Sequence, residues 1–439
     1  MQQNPYDRVA YRTFPRRQTH PDRLAAVGTL FGMRPAPVTQ SRVLEIGCGS
    51  GGNLIPQAYT LRGSKFLGID LAKQPIAAAS KTARALELDN LELRVCDLRD
   101  LSPSDGAFDY VIAHGIYSWI PAEVRDALLG VCRALLAPQG IAYVSYNAYP
   151  GQYERRMLRE MLLYRGDDVA SAREFLRTLP HSEAAALADS PDDILFHDIL
   201  APCFHPAWFH EFAAHARDHG LRYLGEADVH DMFDDSGRLV DEGGEQELDF
   251  RRLRRFRQTL LCREEVRLTR SIREKQMDGF LFSKCPHGRR IPGDDPTVEA
   301  VAQALDDVHP LPVRFEELLP YAGSRNALRE ILRALLAGGC ADIHIHDFPC
   351  EESVTEFPRA SRLARYQAAS SLVVTNLCHV PVQLDEVARQ LLLILDGRRN
   401  QDTLARRLAA LPGAGPAKSI RQALPRSLEW MARMALLET

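Results

Sequence analysis

The sequence has no run of about eighteen apolar residues, so it offers no segment suited to cross a bilayer as a helix. Its first stretch, Met1 to Arg17, is polar and aromatic and lacks the apolar centre of a secretory signal. A soluble cytoplasmic protein is the resulting expectation. Charge of one sign is scarce as well: a net charge of −4 creates no global field for nucleic acid or acidic membranes, so binding must come from local patches. Nine cysteines show no paired spacing, which reads as reduced thiols more than as a disulfide framework. No internal repeat is evident.

What is present is a chain of 439 residues with 45% hydrophobic content, enough for two or three domains. Short apolar runs at Val43–Ile46, Phe66–Ile69, Leu91–Val95, Tyr110–Ala113 and Ile141–Tyr146 alternate with helix-spaced stretches at Gln74–Leu86 and Val124–Leu136. Ala137 to Gly140 closes the second of these. The rhythm predicts an open parallel sheet. Residues 152–218 read as a helical insertion, and Leu221–Leu224 and Val266–Thr269 as two closing strands. A turn-rich stretch, His287 to Pro296, places a boundary near 286. Beyond it lie an apolar run at Ala341–Ile345 and amphipathic helices over Leu384–Leu437, broken at Asp396-Gly397 and Leu411–Lys418.

The strand Val43–Ile46 runs into Gly47-Cys48-Gly49-Ser50-Gly51-Gly52 and a helix starting near Asn53. Glycines there let the backbone approach a ligand at the helix start. Their spacing fits a dinucleotide as well as S-adenosylmethionine, and Glu45 decides between them. A carboxylate two residues before the first glycine repels a pyrophosphate but suits a ligand carrying an ammonium and a sulfonium. Asp70, followed by Leu71, ends the second strand where an acid can accept from both ribose hydroxyls. Asp97 ends the third, placed to accept from the adenine amino group while Leu98 packs on the ring. Each acid alone could be a helix cap. Three at successive strand ends, in order, match the motifs of class I methyltransferases.

The fourth strand ends in Ala113-His114-Gly115-Ile116-Tyr117-Ser118-Trp119 and the fifth in Ser145-Tyr146-Asn147-Ala148-Tyr149-Pro150-Gly151. Both loops face the crevice where open α/β sheets bind ligands. Ala113, His114, Gly115 and Ser118 are candidates to touch the cofactor. Tyr117, Trp119, Tyr146, Asn147 and Tyr149 are candidates for the acceptor side, where an aromatic wall excludes water and attracts methylammonium. Ordinary packing at strand ends explains the same aromatics. Tyr6, Tyr11 and Gln18 belong to an N-terminal stretch that serves either as a lid over the cofactor or as a docked strap.

Tyr6-Asp7, Thr19-His20-Pro21, Gly52 to Pro56, His114 to Trp119, Ser145-Tyr146-Asn147 and Tyr149-Pro150-Gly151 resemble bacterial methyltransferases that carry a methyltransferase regulatory domain. That family includes the outer-membrane-protein lysine methyltransferases. The similarity continues more weakly through Phe256 to Cys262, Leu363 to Ala368 and Leu395-Asp396-Gly397. The resemblance implies an α/β fold: a Rossmann-like class I methyltransferase sheet with a helical insertion and a C-terminal mixed or helical, winged-helix-like region. It implies S-adenosylmethionine as cofactor, methylation of an amino group on a protein or peptide, and a homodimer. His197-Asp198 stands where the family has His-Glu. A small-metabolite methyltransferase and a non-catalytic cofactor-sensing protein are the alternatives.

The domains expected are a lid or strap over 1–37, a cofactor-binding core over 38–285, a middle domain over 286–360 and a C-terminal domain over 361–439. Arg251 to Arg257 reads as a basic helical run that could meet phosphates, with a solvated or acid-paired face preferred and an acidic peptide substrate as the next reading. Cys285-Pro286-His287 and His344-Ile345-His346 with Cys350 carry metal-ligand residue types without a compact zinc spacing, so no metal is expected.

Overall fold

A computed structural model of the chain describes residues 5–166, 168–285, 295–351, 353–411 and 416–438. Its centre is a seven-stranded sheet built from β1 (Arg42–Ile46), β2 (Lys65–Asp70), β3 (Leu91–Val95), β4 (Phe108–Ala113), β5 (Leu136–Asn147), β6 (Leu221–Glu226) and β7 (Phe256–Arg263). The strand order is β3-β2-β1-β4-β5-β7-β6, with β7 antiparallel to both neighbours. Successive side chains on a strand face opposite sides, and the core divides accordingly. Val43, Tyr110, Ile112, Ile141 and Tyr143 pack on one face with helix Pro21–Leu30. Leu44, Val111, Ala142, Val144 and Tyr146 pack on the other with helices Ala122–Leu135 and Phe209–Asp218. Burial on both faces explains why these strands read as continuous apolar runs.

The expected Rossmann-like architecture is present, with differences in detail. Val266–Thr269 is not a strand: the Val266 carbonyl accepts from Arg222 and the Thr269 N–H donates to the Phe31 carbonyl, which ties the segment to the N-terminal helix. The closing strand is β7. The basic run Arg251 to Arg257 is not one helix either. Helix Glu245–Arg252 stops at Leu253, which takes a left-handed conformation, and Arg257 lies within β7. Ala137 to Gly140 leaves the register as a bulge, because Leu136 pairs with Phe108 and Ile141 with Tyr110.

A second sheet joins β8 (Leu281–Lys284), β9 (Val313–Arg314) and β10 (Ala341–His344) in the antiparallel order β10-β8-β9. It straddles position 286, since β8 precedes that position and its partners follow it. Phe282 and Ile343 share the core of the large sheet's first face. Of the turn-rich stretch 287–296, residues 287–294 lie outside the described residues, as does 412–415 of the break expected at Leu411–Lys418. The C-terminal part has its own core around helices Arg362–Ala368, Glu386–Ile394, Gln401–Ala409 and Ala417–Arg433, with a hairpin of β11 (Val373–Thr375) and β12 (Pro381–Gln383).

Candidate cofactor and acceptor site

The loop after β1 turns under the carboxyl end of the sheet with Gly47, Gly49 and Gly51 at φ of +74°, +54° and +77°, a region that glycine enters without strain. The Gly47 and Cys48 N–H groups donate to the Ile69 carbonyl at 2.8 and 3.0 Å, locking the loop to β2. Thr13 closes it from outside: its hydroxyl accepts from the Gly52 N–H at 3.0 Å and lies 2.7 Å from Ser50 Oγ. A Cβ on Gly52 would stand 2.3 Å from the Thr13 carbonyl oxygen, so the N-terminal stretch fits against the glycine itself. The Cys48 thiol is buried, and burial raises its pKa well above the ordinary range.

The three strand-end acids are in different states. Glu45 is buried; its Oε1 accepts from Asn53 Nδ2 at 2.8 Å, while Oε2 is buried with no partner among the described residues. Burial pushes its pKa up to about 8, with the Asn53 hydrogen bond pulling the other way. Asp70 accepts from the Gly49 N–H at 2.9 Å and the Ala72 N–H at 2.8 Å, and burial raises its pKa. Leu71 beside it is exposed. Asp97 is engaged by its neighbour Arg99. It caps the short helix Leu98–Asp100 through the Arg99 N–H and holds the Arg99 guanidinium at 2.6 and 3.0 Å, while Leu98 is buried.

His114 anchors the next loop. The Tyr143 hydroxyl donates to Gln258 Oε1 and Gln258 Nε2 donates to Asp228, so His114 Nδ1, 2.9 Å from the Tyr143 oxygen, is the donor in that contact. Nε2 is then left as an acceptor. Burial and then the Arg16 charge lower the imidazole to about 3, which keeps it neutral. Gln18 joins the same network by donating to Asp228 at 3.1 Å. Gly115, at φ of +67°, donates to Ser145 Oγ, and its Cβ position is open. Ala113 is fully buried at the end of β4.

The N-terminal stretch docks on the helical insertion. Tyr6 stacks on His197 with ring centres 4.2 Å apart, and Tyr11 meets the same ring edge-on at 5.3 Å. The Tyr11 hydroxyl donates to Asp198 at 3.3 Å, and the shorter acid at 198 is long enough to receive it. Burial raises Asp198 to about 6 and Tyr6 to about 12, and the Tyr6 hydroxyl feels the charges of both Asp198 and Asp70. Sequence reasoning passed over Arg16. Its charge acts on His114, Tyr11, Asp198 and Tyr143, and among the described residues its guanidinium forms no ion pair. Arg16 is one of four arginines between positions 8 and 17, so the sequence did not single it out. Asp198 was marked only as a departure from the family's His-Glu, and Thr13 had no signal, because their partners lie far away in the chain.

The acceptor-side candidates split into two groups. Tyr117 and Tyr146 lie in the core: Tyr146 stacks on Phe212 at 4.3 Å, Tyr117 meets Phe212 edge-on at 5.0 Å, and the Tyr117 hydroxyl contacts His215. Tyr149 and Trp119 face the loop before helix Phe209–Asp218, against Trp208 and Phe204 respectively. Tyr149 lines a cavity of about 460 Å³ with Arg125, Arg156, Arg159, Glu160 and His205. Asn147 accepts from Gln152 and donates its N–H to Ser118 Oγ, joining the ends of β4 and β5. The remaining sequence-level candidates are tied up elsewhere. Arg257 is buried against Glu226, Glu245 and Asp249, and Arg254 against Asp249 and Asp231, so the basic run is acid-paired. His344 bonds Ser283 and Asp22. Pro286 and His287 lie outside the described residues.

Residues 43–140 match a family described as a methyltransferase domain, 191–263 one described as a predicted methyltransferase regulatory domain, and 356–416 one described as the PKMT C-terminal winged helix domain. The chain is 31% identical to the uncharacterized protein RP789 of Rickettsia prowazekii (strain Madrid E), over 91% of this chain and 85% of the relative. The structure of PKMT2 from Rickettsia typhi superposes with a TM-score of 0.85 at 26% identity, covering 97% of this chain and all of that one. The same protein in complex with AdoHcy gives 0.81 at 27% identity, over 97% and 99%.

Proposed function

Because the chain belongs to the class I S-adenosylmethionine-dependent methyltransferases that carry a methyltransferase regulatory domain, we propose that it methylates an amino group, a lysine side chain or an N-terminal amine, of a protein or peptide. The observation that carries this reading is the cluster of Tyr6, Tyr11, His197 and Asp198 at the cofactor edge. Two aromatic faces beside a carboxylate attract an ammonium and retain a methylated one. The likeness to PKMT2 and to the PKMT winged helix supports the same substrate class.

The donor set fits the cofactor. Glu45 has an unpartnered buried oxygen for a cationic group, Asp70 stands at the strand end for the ribose, and Arg16 is available for a carboxylate. S-adenosylmethionine supplies an electrophilic methyl group: the amine lone pair forms the new C–N bond as the C–S bond breaks, and S-adenosylhomocysteine leaves. The amine must therefore arrive deprotonated. Asp198, raised toward neutrality by burial, is a stronger base than a solvated carboxylate, and we assign it to orient the incoming ammonium and take up its proton. A homodimer belongs to the same reading, supported by the exposed stripe Tyr153, Met157, Met161 and Tyr164 on helix Tyr153–Arg165, an apolar face of the kind that a polypeptide or second copy covers.

The test is to incubate the protein with methyl-labelled S-adenosylmethionine and polypeptides from its host extract, then locate the label by mass spectrometry. Label on lysine or an N-terminal amine, lost in Asp198→Asn, is the expected result. Label confined to small metabolites would overturn the substrate class.

A further inference from the structure

Among the described residues, one group of three potential metal ligands brings its donor atoms within 4.8 Å of one another: Asp126, His215 and His219. The two histidines are four residues apart at the end of helix Phe209–Asp218, so they stand one turn apart on the same face. Asp126 comes from helix Ala122–Leu135, packed beside it in the core of the sheet's second face. His219 Nε2 lies 2.9 Å and His215 Nε2 3.5 Å from the same oxygen, Asp126 Oδ1. Ligands bound tetrahedrally to zinc at 2.0–2.1 Å are about 3.3 Å apart, so both spacings are close to those of a ligand set converging on one ion.

A second observation concerns the other ring nitrogen of His215. His215 Nδ1 is 2.9 Å from the Tyr117 hydroxyl. Metal-binding histidines characteristically engage the other nitrogen in such a contact, which sets the tautomer and aims the free nitrogen. Arg125, over the Tyr117 ring at 5.5 Å, is the cation that opposes an ion here. Asp126 offsets one unit of that charge, and its exposure leaves a path for entry and a position for water.

We propose that Asp126, His215 and His219 form a binding site for one divalent transition-metal ion of the zinc class, distinct from the cofactor site. The ion clamps the helix of the insertion to the methyltransferase core. Tyr117 links the clamp to the loop after β4, where Ser118 receives the Asn147 N–H on its hydroxyl and the His205 N–H on its carbonyl. Sequence spacing conceals the set, because Asp126 is 89 residues before the first histidine. The inference needs no assumption about the methyl acceptor.

The experiment is a Co²⁺ titration followed by visible absorption, and a Zn²⁺ titration by calorimetry, on tag-free full-length protein stripped with a chelator. One equivalent is expected, with the intense absorption of a tetrahedral Co²⁺ site. His219→Ala and Asp126→Asn should each weaken binding at least tenfold, and Tyr117→Phe about tenfold, the usual range for a group that orients a ligand. Melting of each metal-free variant checks that it is folded, and at a fixed concentration the metal should raise the melting temperature of the unaltered protein more than that of any variant. No stoichiometric uptake overturns the proposal, and so does uptake that His219→Ala and Asp126→Asn leave unchanged.

Discussion

Glu45 is a carboxyl group whose surroundings favour the neutral form, and that makes cofactor binding a proton-linked event. With a folded pKa of about 8 against an ordinary 4.5, the native apo protein holds a proton there that the unfolded chain has lost. Its contribution therefore lowers stability progressively from about pH 4.5 to 8 and is constant above. A bound cation reverses the preference and expels the proton. Binding at pH 7 is expected to release close to one proton, and affinity to rise roughly five- to tenfold from pH 6 to 7. Calorimetry in buffers of different ionisation enthalpy measures the release; buffer-independent heats, or the same dependence in Glu45→Gln, would falsify the assignment. Asp70→Ala should weaken S-adenosylmethionine at least tenfold, and an unchanged calorimetric affinity would remove Asp70 from the ribose. Glu45 and Asp70 were legible because a strand and a glycine loop fix where their side chains must be. Asp97 was legible only as a strand-end acid, since its neighbour Arg99 settles whether it caps a helix or is free. Asp198 was legible only as a departure from the family's His-Glu and Arg16 was not legible, because their roles arise from contacts between segments far apart in the chain.

Elements built from apolar runs were readable because burial on both faces of a strand leaves little freedom of composition. β7 was hidden for the opposite reason, since its start carries charges that look solvated. Arg257 is instead fully buried, and it joins β7 to β6 through Glu226 and to helix Glu245–Arg252 through Glu245 and Asp249. Removing one partner from such a cluster leaves uncompensated buried charge, so Arg257→Met should cost about 3–5 kcal/mol. The measurement is the urea midpoint of the full chain, followed by tyrosine and tryptophan fluorescence. A midpoint within error of the unaltered protein would mean that the carboxylates take up protons and need no cation. The bulge at Ala137 to Gly140 and the irregular segment after β7 belong to the same class: turn chemistry and charge can be seen in the sequence, but the partner that resolves them cannot.

At the scale of the molecule, the N-terminal stretch works as a tie. Arg17 and Arg23 both pair with Asp342 of β10 and Asp228 after β6, while Asp22 receives the Ile345 and His346 N–H groups. The winged helix closes the circuit from the other side. His379, at φ of +59°, is buried against His20, and its Nε2 lies 3.0 Å from Asn53 Oδ1, the amide whose nitrogen holds Glu45. An amide oxygen only accepts, so Nε2 is the donor, and burial keeps the ring neutral. Asn53 Oδ1 also receives the Arg16 N–H, so loss of His379 removes one of several restraints on the amide. The net worth of one such bond is about 0.5–1.5 kcal/mol, which converts to a two- to tenfold change in an equilibrium. His379→Ala should therefore weaken S-adenosylmethionine binding within that range, although the residue belongs to another domain and lies 326 positions from Asn53. Calorimetry on the full chain reads it, with His379→Gln, which keeps a donor, expected to restore part of the loss. Equal affinities in all three proteins would reduce the winged helix to a docked passenger; a loss with partial rescue would make it a support of the cofactor site, so that whatever displaces the C-terminal domain also loosens Glu45.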